Sequence, residues 1–318
     1  MKKQVALICT TYNCKDELND ALTFFTSNEN LEFLNELIIV DGGSNDGTWE
    51  LLKDWAQKVD KLKVYQVPGA NISRGRNEAI RQATADIIVV FDSGTKYETN
   101  WLQLMLRPFE KEEASVVGGL TICYGENIFE KSFAGFDNRK WIDENWGSSH
   151  RGIAYLKNVW QQIGGYPEDV EAGEDSWFNT QWKNLGYKYV HVPEAKNYWR
   201  VRKNWKGVFK MSRRNTKGHV ALCETSGMAI IVLITAVYMI CSLCILLGFY
   251  NSVFWYAAGI LYGLHVSKRM LGKGRWRTFL NPVTFIVGFY GLTASDLGTV
   301  WGTFEGFVQI IKKKRVQV

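Results

Sequence analysis

Residues 1 to about 195 alternate short apolar runs with amphipathic segments. The apolar runs predict β-strands at residues 5–10, 37–40, 62–67, 87–91 and 115–122. Apolar residues at helical spacing predict helices at 17–26, 48–59, 73–83 and 100–109. Five strands joined by four crossovers indicate an α/β fold with a Rossmann-like, mainly parallel sheet. Such a sheet binds its ligands at the carboxyl ends of the strands.

The pattern changes after residue 226. Residues 227–267 contain no Asp, Glu, Lys or Arg, a stretch about twice the roughly 20 residues that one membrane-spanning helix needs. Asn251 and Ser252 near its middle predict a tight hairpin of two transmembrane helices, the second of them short. Basic residues before and after the hairpin place both of its ends in the cytoplasm; they are Arg213, Arg214, Lys217, Lys268, Arg269, Lys273, Arg275 and Arg277.

A third apolar region covers residues 279–311 and is interrupted by Pro282, Asp296 and Glu305. A single crossing would put the basic residues 312–315 outside the cell, against the positive-inside tendency. A re-entrant hairpin that turns near Asp296, or one crossing followed by a surface helix, avoids this conflict. The alternative for the whole region is a buried helical domain.

The net charge of +6 is unevenly distributed. Residues 200–217 include eight Lys or Arg and no acid. Because these residues flank apolar segments, an anionic membrane surface fits them better than nucleic acid does. The six cysteines show neither metal-finger spacing nor a disulfide framework. The N-terminal apolar run is too short for a secretory signal and is interpreted as the first strand.

These patterns divide the chain into three parts. Residues 1–198 are expected to form the catalytic domain, with a nucleotide-binding half at 1–110 and an acceptor half at 111–198. Residues 199–225 form a basic amphipathic interfacial segment, and residues 226–318 a membrane-embedded helical region.

Two polar loops follow the first two predicted strands, at residues 10–13 and 41–48. Glycines allow sharp turns and close backbone approach, and carboxylates at strand ends accept hydrogen bonds from a base or a ribose. Both loops are expected to meet in one crevice, where the candidate binding residues are Thr11, Tyr12, Asn13, Asp41, Gly43 and Asp46. The alternative is that Asp46 or Ser44 only caps the helix that begins at Thr48.

With these loops the chain resembles the inverting glycosyltransferase family 2, a family with the GT-A fold, over about residues 4–212. The resemblance implies that Asp41 contacts the nucleotide base and that the loop of Thr11, Tyr12 and Asn13 lines the same pocket. Residues 73–77 are similar to a family segment that places Arg76 and Asn77 near the nucleotide. An arginine at the start of a helix suits a diphosphate, because its charge and the helix dipole add.

Residues 91–96 depart from the family pattern. Family members usually carry Asp-X-Asp here to bind a divalent cation, but Gly94 stands in place of the second carboxylate after Asp92 and Ser93. Mg²⁺ or Mn²⁺ can be held by one or two carboxylates with substrate phosphates and water, so Asp92 can suffice as the metal ligand. Alternatively, Lys96 or nearby arginines supply part of the positive charge that the leaving diphosphate requires.

The proton acceptor is expected at Gly173-Glu174-Asp175, after the segment that holds Gly165 and Tyr166. A hydroxyl that attacks an anomeric carbon needs a positioned carboxylate to take its proton. The resemblance assigns this role to Asp175, with Glu174 beside it. In an arbitrary sequence, two acids at a helix start more often complement the helix dipole.

A basic aromatic segment covers residues 198–205. It is similar to the Trp-Arg or Arg-Trp segment of membrane-associated family members, which implies that Trp199 lies near the substrates and that Arg200 or Arg202 reaches the diphosphate. The alternative is an interfacial amphipathic helix whose cations face lipid headgroups.

The expected function is inverting transfer of a sugar from a nucleotide sugar, with a UDP-sugar favoured, to a hydroxyl of a lipid-linked saccharide or surface polysaccharide. The expected location is the cell membrane, with several crossings and the catalytic domain on the cytoplasmic face. Membrane lipids are expected partners and nucleic acid is not. The rival functions are a polyprenyl-phosphate glycosyltransferase and an inactive sugar-nucleotide-binding assembly subunit.

Overall fold

The computed structural model describes residues 3–137, 149–223, 227–271 and 281–316. The chain forms two compact units. The first comprises residues 1–122 and 139–199, and the second comprises residues 123–138 and 200–318.

Eight strands lie in the described residues: β1 Val5–Thr11, β2 Glu36–Asp41, β3 Leu62–Gln66, β4 Ile87–Phe91, β5 Thr95–Tyr97, β6 Val116–Tyr124, β7 Gly152–Leu156 and β8 Tyr189–Arg200. Twelve helices lie there too: α1 Lys15–Phe25, α2 Asn28–Leu31, α3 Thr48–Ala56, α4 Ile72–Gln82, α5 Trp101–Glu110, α6 Ile128–Asp137, α7 Lys157–Ile163, α8 Glu174–Asn184, α9 Trp205–Ala221, α10 Met228–Gly248, α11 Val253–Leu271 and α12 Pro282–Val316.

The strands form one mixed sheet in the order β3-β2-β1-β4-β7-β6-β8-β5. The neighbours among β1, β2, β3 and β4 pair in parallel, whereas β7 is antiparallel to both β4 and β6. The mixed α/β class is therefore confirmed. The expectation of five strands joined by four crossovers was wrong, because β7 lies between β4 and the predicted fifth strand, β6.

Each face of the sheet is covered by its own apolar core. Successive side chains of a strand point to opposite faces, so Leu7 and Cys9 pack with α1 and α5 while Ala6 and Ile8 pack with α4, α7 and α8. All four of these strand residues are buried. This two-sided burial is why β1, β2 and β4 read as continuous apolar runs.

Three parts of the sheet differ from the sequence prediction. β5 and β7 were not predicted, since one has three residues and the other five residues directly followed by a helix. The sequence also predicts a strand at residues 188–192, and in the structure this strand covers Tyr189–Arg200 as β8.

The second unit holds a helical hairpin. α10 ends at Gly248 and α11 begins at Val253, so the predicted turn at Asn251 and Ser252 is confirmed. The expectation of a short second helix was wrong, because α11 has 19 residues and α10 has 21. Among the described residues, α10 and residues 282–312 of α12 are long and apolar enough to cross a membrane. Lys273, Arg275 and Arg277 of the predicted basic flank lie outside the described residues.

α12 is a single helix of 35 residues. The chain does not turn at Asp296, so the predicted re-entrant hairpin was wrong. One crossing followed by a surface helix stays a prediction. The Asp296 side chain is fully buried against α11, where its Oδ2 lies 2.9 Å from His265 Nε2 and it pairs with Arg269. A neutralised carboxylate can stay inside a helix bundle, which explains why Asp296 does not end the helix.

α12 also packs closely on α9 through glycines that share one face of the helix. Side chains built at Gly298, Gly302 and Gly306 would collide with the backbone or side chains of α9. Small residues at this spacing allow two helix backbones to approach each other. The Arg213 Nε of α9 donates to the Glu305 carboxylate at 2.8 Å and fixes the contact.

Candidate active site

The loops after β1 and β2 are joined at the carboxyl end of the sheet. Thr11 is in register with Asp41 across the parallel pair. The backbone N–H of Asn13 donates to Ser44 Oγ at 2.8 Å, and its side-chain Oδ1 accepts from the Asn45 N–H at 2.9 Å. Asn13 adopts a φ of +50°, a conformation that asparagine tolerates better than most residues. The two polar loops predicted to share a crevice are thus one connected structure.

The Asp41 carboxylate is fully buried beneath this structure. Its Oδ2 accepts hydrogen bonds from the N–H groups of Gly43 and Ser44, each at 3.0 Å, and from Gln66 Nε2 at 2.9 Å. Its Oδ1 accepts from Ser44 Oγ. Within the chain, Asp41 therefore shapes the loop in which Gly43 takes a φ of +94°.

Asp46 and Tyr12 have different surroundings. Asp46 Oδ1 accepts a hydrogen bond from the N–H of Thr48 at 3.0 Å. It therefore caps the start of α3, which is the role that the alternative interpretation gave it. The Thr48 hydroxyl is the main cause that lowers the pKa of Asp46. The Tyr12 ring is 61% exposed and available to a ligand at the mouth of the crevice.

α4 carries Arg76 into the interior of the site. The helix is capped by Asn71, whose side chain accepts from the Arg74 N–H at 2.9 Å. It lies so close to β1 that a side chain at Gly75 would collide with Thr10. Arg76 is 4% exposed, and its Nη1 donates to Glu174 Oε1 at 2.8 Å. Burial acts to lower the pKa of Arg76, but Glu174 and Asp92 outweigh it and raise that pKa.

Asp92 lies at the end of β4 between two guanidinium groups. Its Oδ1 is 3.6 Å from Arg76 Nη2, and its Oδ2 is 3.7 Å from Arg151 Nε. Both distances exceed that of a hydrogen bond. The Tyr97 hydroxyl joins the two backbones, because it accepts from the Asp92 N–H at 3.0 Å and donates to the Arg151 carbonyl at 2.7 Å.

Glu174 and Asp175 open α8 directly after Gly173, which has a φ of +87°. Glu174 is 6% exposed, and burial together with Asp175 raises its pKa although Arg76 opposes the shift. Burial acts to raise the pKa of Asp175 as well. His150 first, and then Arg76 and Arg151, outweigh burial and lower that pKa. The pKa values of these two adjacent carboxyl groups are therefore shifted in opposite directions.

A buried network supports the start of α8. The Tyr166 hydroxyl is 2.9 Å from His150 Nδ1, and His150 Nε2 is 3.2 Å from Asn179 Oδ1. Burial, together with Arg76, lowers the pKa of His150 to about 3, so the imidazole is neutral at physiological pH. The sequence interpretation did not include His150 or Arg151. The one feature of the sequence that could have indicated them is that these two polar residues stand directly before the short apolar strand β7.

Asn77 fixes the predicted Gly165-Tyr166 segment. Its Oδ1 accepts from the Tyr166 N–H at 2.8 Å, and its Nδ2 donates to the Tyr166 carbonyl at 2.9 Å and to Glu168 at 2.8 Å. Gly165, with a φ of +92°, lies directly against the Asn77 amide. Asn77 thus links α4 to the loop before α8.

The remaining candidates fall in two groups. In the first unit, Ser93 Oγ is 3.2 Å and Thr11 Oγ1 is 2.7 Å from Cys14 Sγ. Lys96 is exposed on β5, and Trp199 of β8 pairs with Thr95 of β5. Arg200 and Arg202 belong to the second unit. There, Arg200 Nη1 is 2.7 Å from Glu126 and its Nη2 is 2.9 Å from Glu130.

The donor set fits a cation bound jointly with a phosphate-bearing ligand. Within the described ranges, no group of three His, Cys, Asp or Glu side chains is placed to hold a metal ion alone. Asp92 is nevertheless 36% exposed, and its carboxylate oxygens accept no hydrogen bond from the part of the chain that the structure describes. Mg²⁺ and Mn²⁺ accept one carboxylate when phosphates and water complete the coordination.

A mixed sheet with Asp41 and Asp92 at the carboxyl ends of β2 and β4, and with Arg76 of α4 beside Asp92, is typical of the GT-A class of glycosyltransferase. A mannosyltransferase from Pyrobaculum calidifontis, solved in complex with GDP-Man and Mn²⁺, has this fold. Its TM-score is 0.61 at 17% identity, over 95% of this chain and 88% of that one. Residues 6–163 match the family described as Glycosyl transferase family 2. Residues 6–163 therefore form a domain of that family.

Curated relatives carry glycosyltransferase names. Glycosyltransferase AglE of Haloferax volcanii is 23% identical over 60% of this chain and 65% of its own length. A dolichyl N-acetyl-α-D-glucosaminyl phosphate 3-β-D-2,3-diacetamido-2,3-dideoxy-β-D-glucuronosyltransferase of Methanococcus voltae is 21% identical over 65% of this chain and 70% of its own. For AglE and three further relatives, this chain spans between 30% and 65% of the relative's own length.

Proposed function

We propose that the protein transfers a sugar, with inversion, from a nucleotide diphosphate sugar to a hydroxyl of a lipid-linked saccharide. The observation that carries this proposal is the grouping of Asp92, Arg76 and Asp175 in one unit at the carboxyl ends of the sheet. These groups supply the three requirements of the reaction, which are a cation site, positive charge for a leaving diphosphate and a proton acceptor.

The donor base and ribose bind at the joined loops of β1 and β2. Tyr12 offers an exposed ring for stacking, while Asp41 and Asn13 hold the loop backbone in place. Thr11, Gly43, Asp46 and Ser93 line the same end of the sheet. The base is proposed to be uracil, as the family resemblance favours.

The diphosphate lies over Asp92, next to Arg76. Asp92 would hold Mg²⁺ or Mn²⁺, which when bound neutralises charge on the leaving diphosphate. Arg76 is oriented by Glu174 before any ligand binds, so little reorganisation is needed when negative charge develops. Lys96 and Trp199 flank this position on β5 and β8.

Asp175 accepts the proton of the acceptor hydroxyl. Because its pKa is lowered, its carboxylate is ionised at neutral pH and ready to act as a base. General base catalysis contributes roughly 10² to 10⁴ to the rate. Glu174, which is paired with Arg76, positions that arginine instead of taking the proton.

A lipid-linked acceptor follows from the second unit. α10 is uncharged along its length, and α9 exposes Trp205 next to basic residues that suit anionic headgroups. We propose that the hairpin of α10 and α11, together with α12, anchors the chain in the cell membrane, with residues 1–198 catalytic on the cytoplasmic face and 199–225 interfacial. The Methanococcus voltae relative is named for a dolichyl-linked substrate, which supports this acceptor class.

The direct test is a thermal-shift panel of nucleotide sugars on the full-length protein, followed by mass analysis of the product. The stabilising donor is then offered with either a polyprenyl phosphate or a polyprenyl-linked saccharide. Transfer to the saccharide supports the proposal, whereas transfer only to the phosphate supports the polyprenyl-phosphate rival. Donor binding without hydrolysis or transfer in Mg²⁺ or Mn²⁺ supports an inactive binding subunit.

A further inference from the structure

Arg151 stands at the centre of the site, although neither the sequence motifs nor the proposed metal ligand includes it. We propose that the Arg151 guanidinium binds the diphosphate of the donor. Its positive charge replaces part of the charge that a cation held by two carboxylates would otherwise supply. The inference rests on the proposed function, because it requires a diphosphate at Asp92.

The backbone of Arg151 is fixed opposite the metal position. Gly152 is in register with Phe91 across the antiparallel pair of β7 and β4. The next residue outward on each strand is Arg151 on one side and Asp92 on the other. The Tyr97 hydroxyl bonds to both backbones, so the two residues are held together by the sheet and by a partly buried phenol.

The side chain of Arg151 is held on two sides and left open on a third. Its Nη1 donates to Ser149 Oγ at 2.8 Å, and its guanidinium carbon lies 4.1 Å from the centre of the Trp199 ring. Its Nε is buried without a hydrogen-bond partner in the described part of the chain. That N–H faces Asp92 at 3.7 Å and keeps the guanidinium beside the proposed metal position, while the exposed part of the side chain is left for a phosphate oxygen.

Arg76 and Arg151 have different exposure and different partners. Arg76 is nearly buried and donates to Glu174, so its charge is largely matched within the chain. The Arg151 side chain is 27% exposed and makes no hydrogen bond to a carboxylate among the described residues. A planar guanidinium with donors to spare is suited to two phosphate oxygens at once.

The neighbourhood of Gly94 explains the need for this charge. A side chain built at Gly94 meets nothing within 4 Å, so the space that a second carboxylate would occupy is open. With Asp92 as the one carboxylate at this strand end, the cation is held more weakly than by two acids. A fixed guanidinium on the opposite strand compensates for part of that loss.

The test measures binding of uridine diphosphate and guanosine diphosphate to the full-length protein by calorimetry, in EDTA and in saturating Mn²⁺. Arg151→Gln should raise both dissociation constants in EDTA by about 10-fold to 100-fold, and by less in Mn²⁺. Arg107→Gln, which removes an exposed arginine of α5, is the matched control and should change neither. Gly94→Asp in the Arg151→Gln protein should restore most of the affinity in Mn²⁺ and none in EDTA.

Three results would overturn the inference: wild-type affinity of Arg151→Gln in EDTA, equal losses in EDTA and Mn²⁺, or a loss confined to one base. If Arg151→Gln fails to fold, Arg151→Lys decides. Lysine keeps the charge but loses the planar fork and the stacking on Trp199, so the dissociation constants in EDTA should rise by about threefold to tenfold, and wild-type affinity of Arg151→Lys would contradict the inference. A wild-type protein that binds neither nucleotide overturns the proposed function together with this inference. Binding that is unaffected by Arg151→Gln removes the inference alone.

Discussion

Arg76 Nη1 lies 2.8 Å from Glu174 Oε1, and this contact joins two residues 98 positions apart in the chain. Arg76 comes from α4 and Glu174 from the start of α8, so the ion pair fastens the nucleotide-binding half to the half that carries Asp175. Both side chains are less than 10% exposed. A buried pair of this kind fixes geometry more than it adds stability, because desolvation offsets most of the attraction.

The first prediction concerns that pair. Arg76→Met leaves Glu174 buried without its partner and should destabilise the first unit by about 3–5 kcal/mol. Adding Glu174→Gln should recover part of the loss, because the unpaired charge is removed. Thermal unfolding followed by tryptophan fluorescence measures both, with Arg107→Met as the exposed control. A single variant as stable as wild type, or a double variant less stable than the single, would contradict this account of the pair.

The second prediction concerns Asp41. Its carboxylate accepts from two backbone N–H groups, the Gln66 amide and the Ser44 hydroxyl. Asp41→Asn therefore removes the charge and puts an NH₂ group in place of one oxygen where four donors converge. The loop should lose its shape, and the dissociation constant for uridine diphosphate should rise by about tenfold or more. Ser44→Ala, which removes one donor, should have a smaller effect. Calorimetry that finds equal binding in wild type and Asp41→Asn would refute this role.

The third prediction concerns pH. Burial and Arg76 lower the pKa of His150 from 6.5 to about 3, so the unfolded chain takes up a proton that the folded chain does not. The contribution of neutral His150 to the free energy of unfolding is therefore fully present above pH 6.5. It is lost as the pH falls from 6.5 toward 3, by up to about 1.4 kcal/mol per pH unit.

Thermal unfolding between pH 7 and pH 5 measures this slope. His150→Gln keeps hydrogen-bonding capacity but does not titrate, so its midpoint should fall less steeply with pH than that of wild type. Identical slopes in the two proteins would show that His150 is not buried in its neutral form.

The fourth prediction concerns the hairpin of α10 and α11. If both of its ends are cytoplasmic, the turn at residues 249–252 lies outside the cell. A cysteine introduced by Ser252→Cys should react with a membrane-impermeant maleimide in intact cells. Cys223, which is exposed before α10, is an internal control that should react only after permeabilisation. Labelling of wild-type Cys223 in intact cells would reverse the proposed orientation.

The sequence predicted the parts of the fold whose signal is local. β1, β2 and β4 are buried on both faces and give continuous apolar runs, and the polar residues after them lie where a parallel sheet collects its ligands. Asp92, Arg76 and Asp175 were identified because they stand in motifs that resemble those of the family and follow one another in the same order along the chain. Their roles remain predictions.

The parts that the sequence missed depend on distant partners. Arg151 acquires its position from the pairing of β7 with β4, and nothing near residue 151 indicates that contact. Asp296 interrupts an apolar run and so suggests a turn, but His265 and Arg269 of α11 neutralise it within a continuous helix. A short strand and a paired intrahelical charge can both be recognised only from tertiary structure.

The fifth prediction tests the central claim most directly. Asp175→Asn keeps the size of the side chain but removes the proton acceptor, so transfer should fall by roughly 10² to 10⁴. The dissociation constant for the donor should stay within about threefold of wild type, because the diphosphate is bound by other groups. Asp54→Asn, an exposed substitution on α3, is the matched control.

The decisive measurement is product formation, followed by mass analysis, alongside donor binding for wild type, Asp175→Asn and Asp54→Asn. The account predicts intact donor binding in all three proteins and product in wild type and Asp54→Asn only. Product formed by Asp175→Asn at the wild-type rate would contradict it.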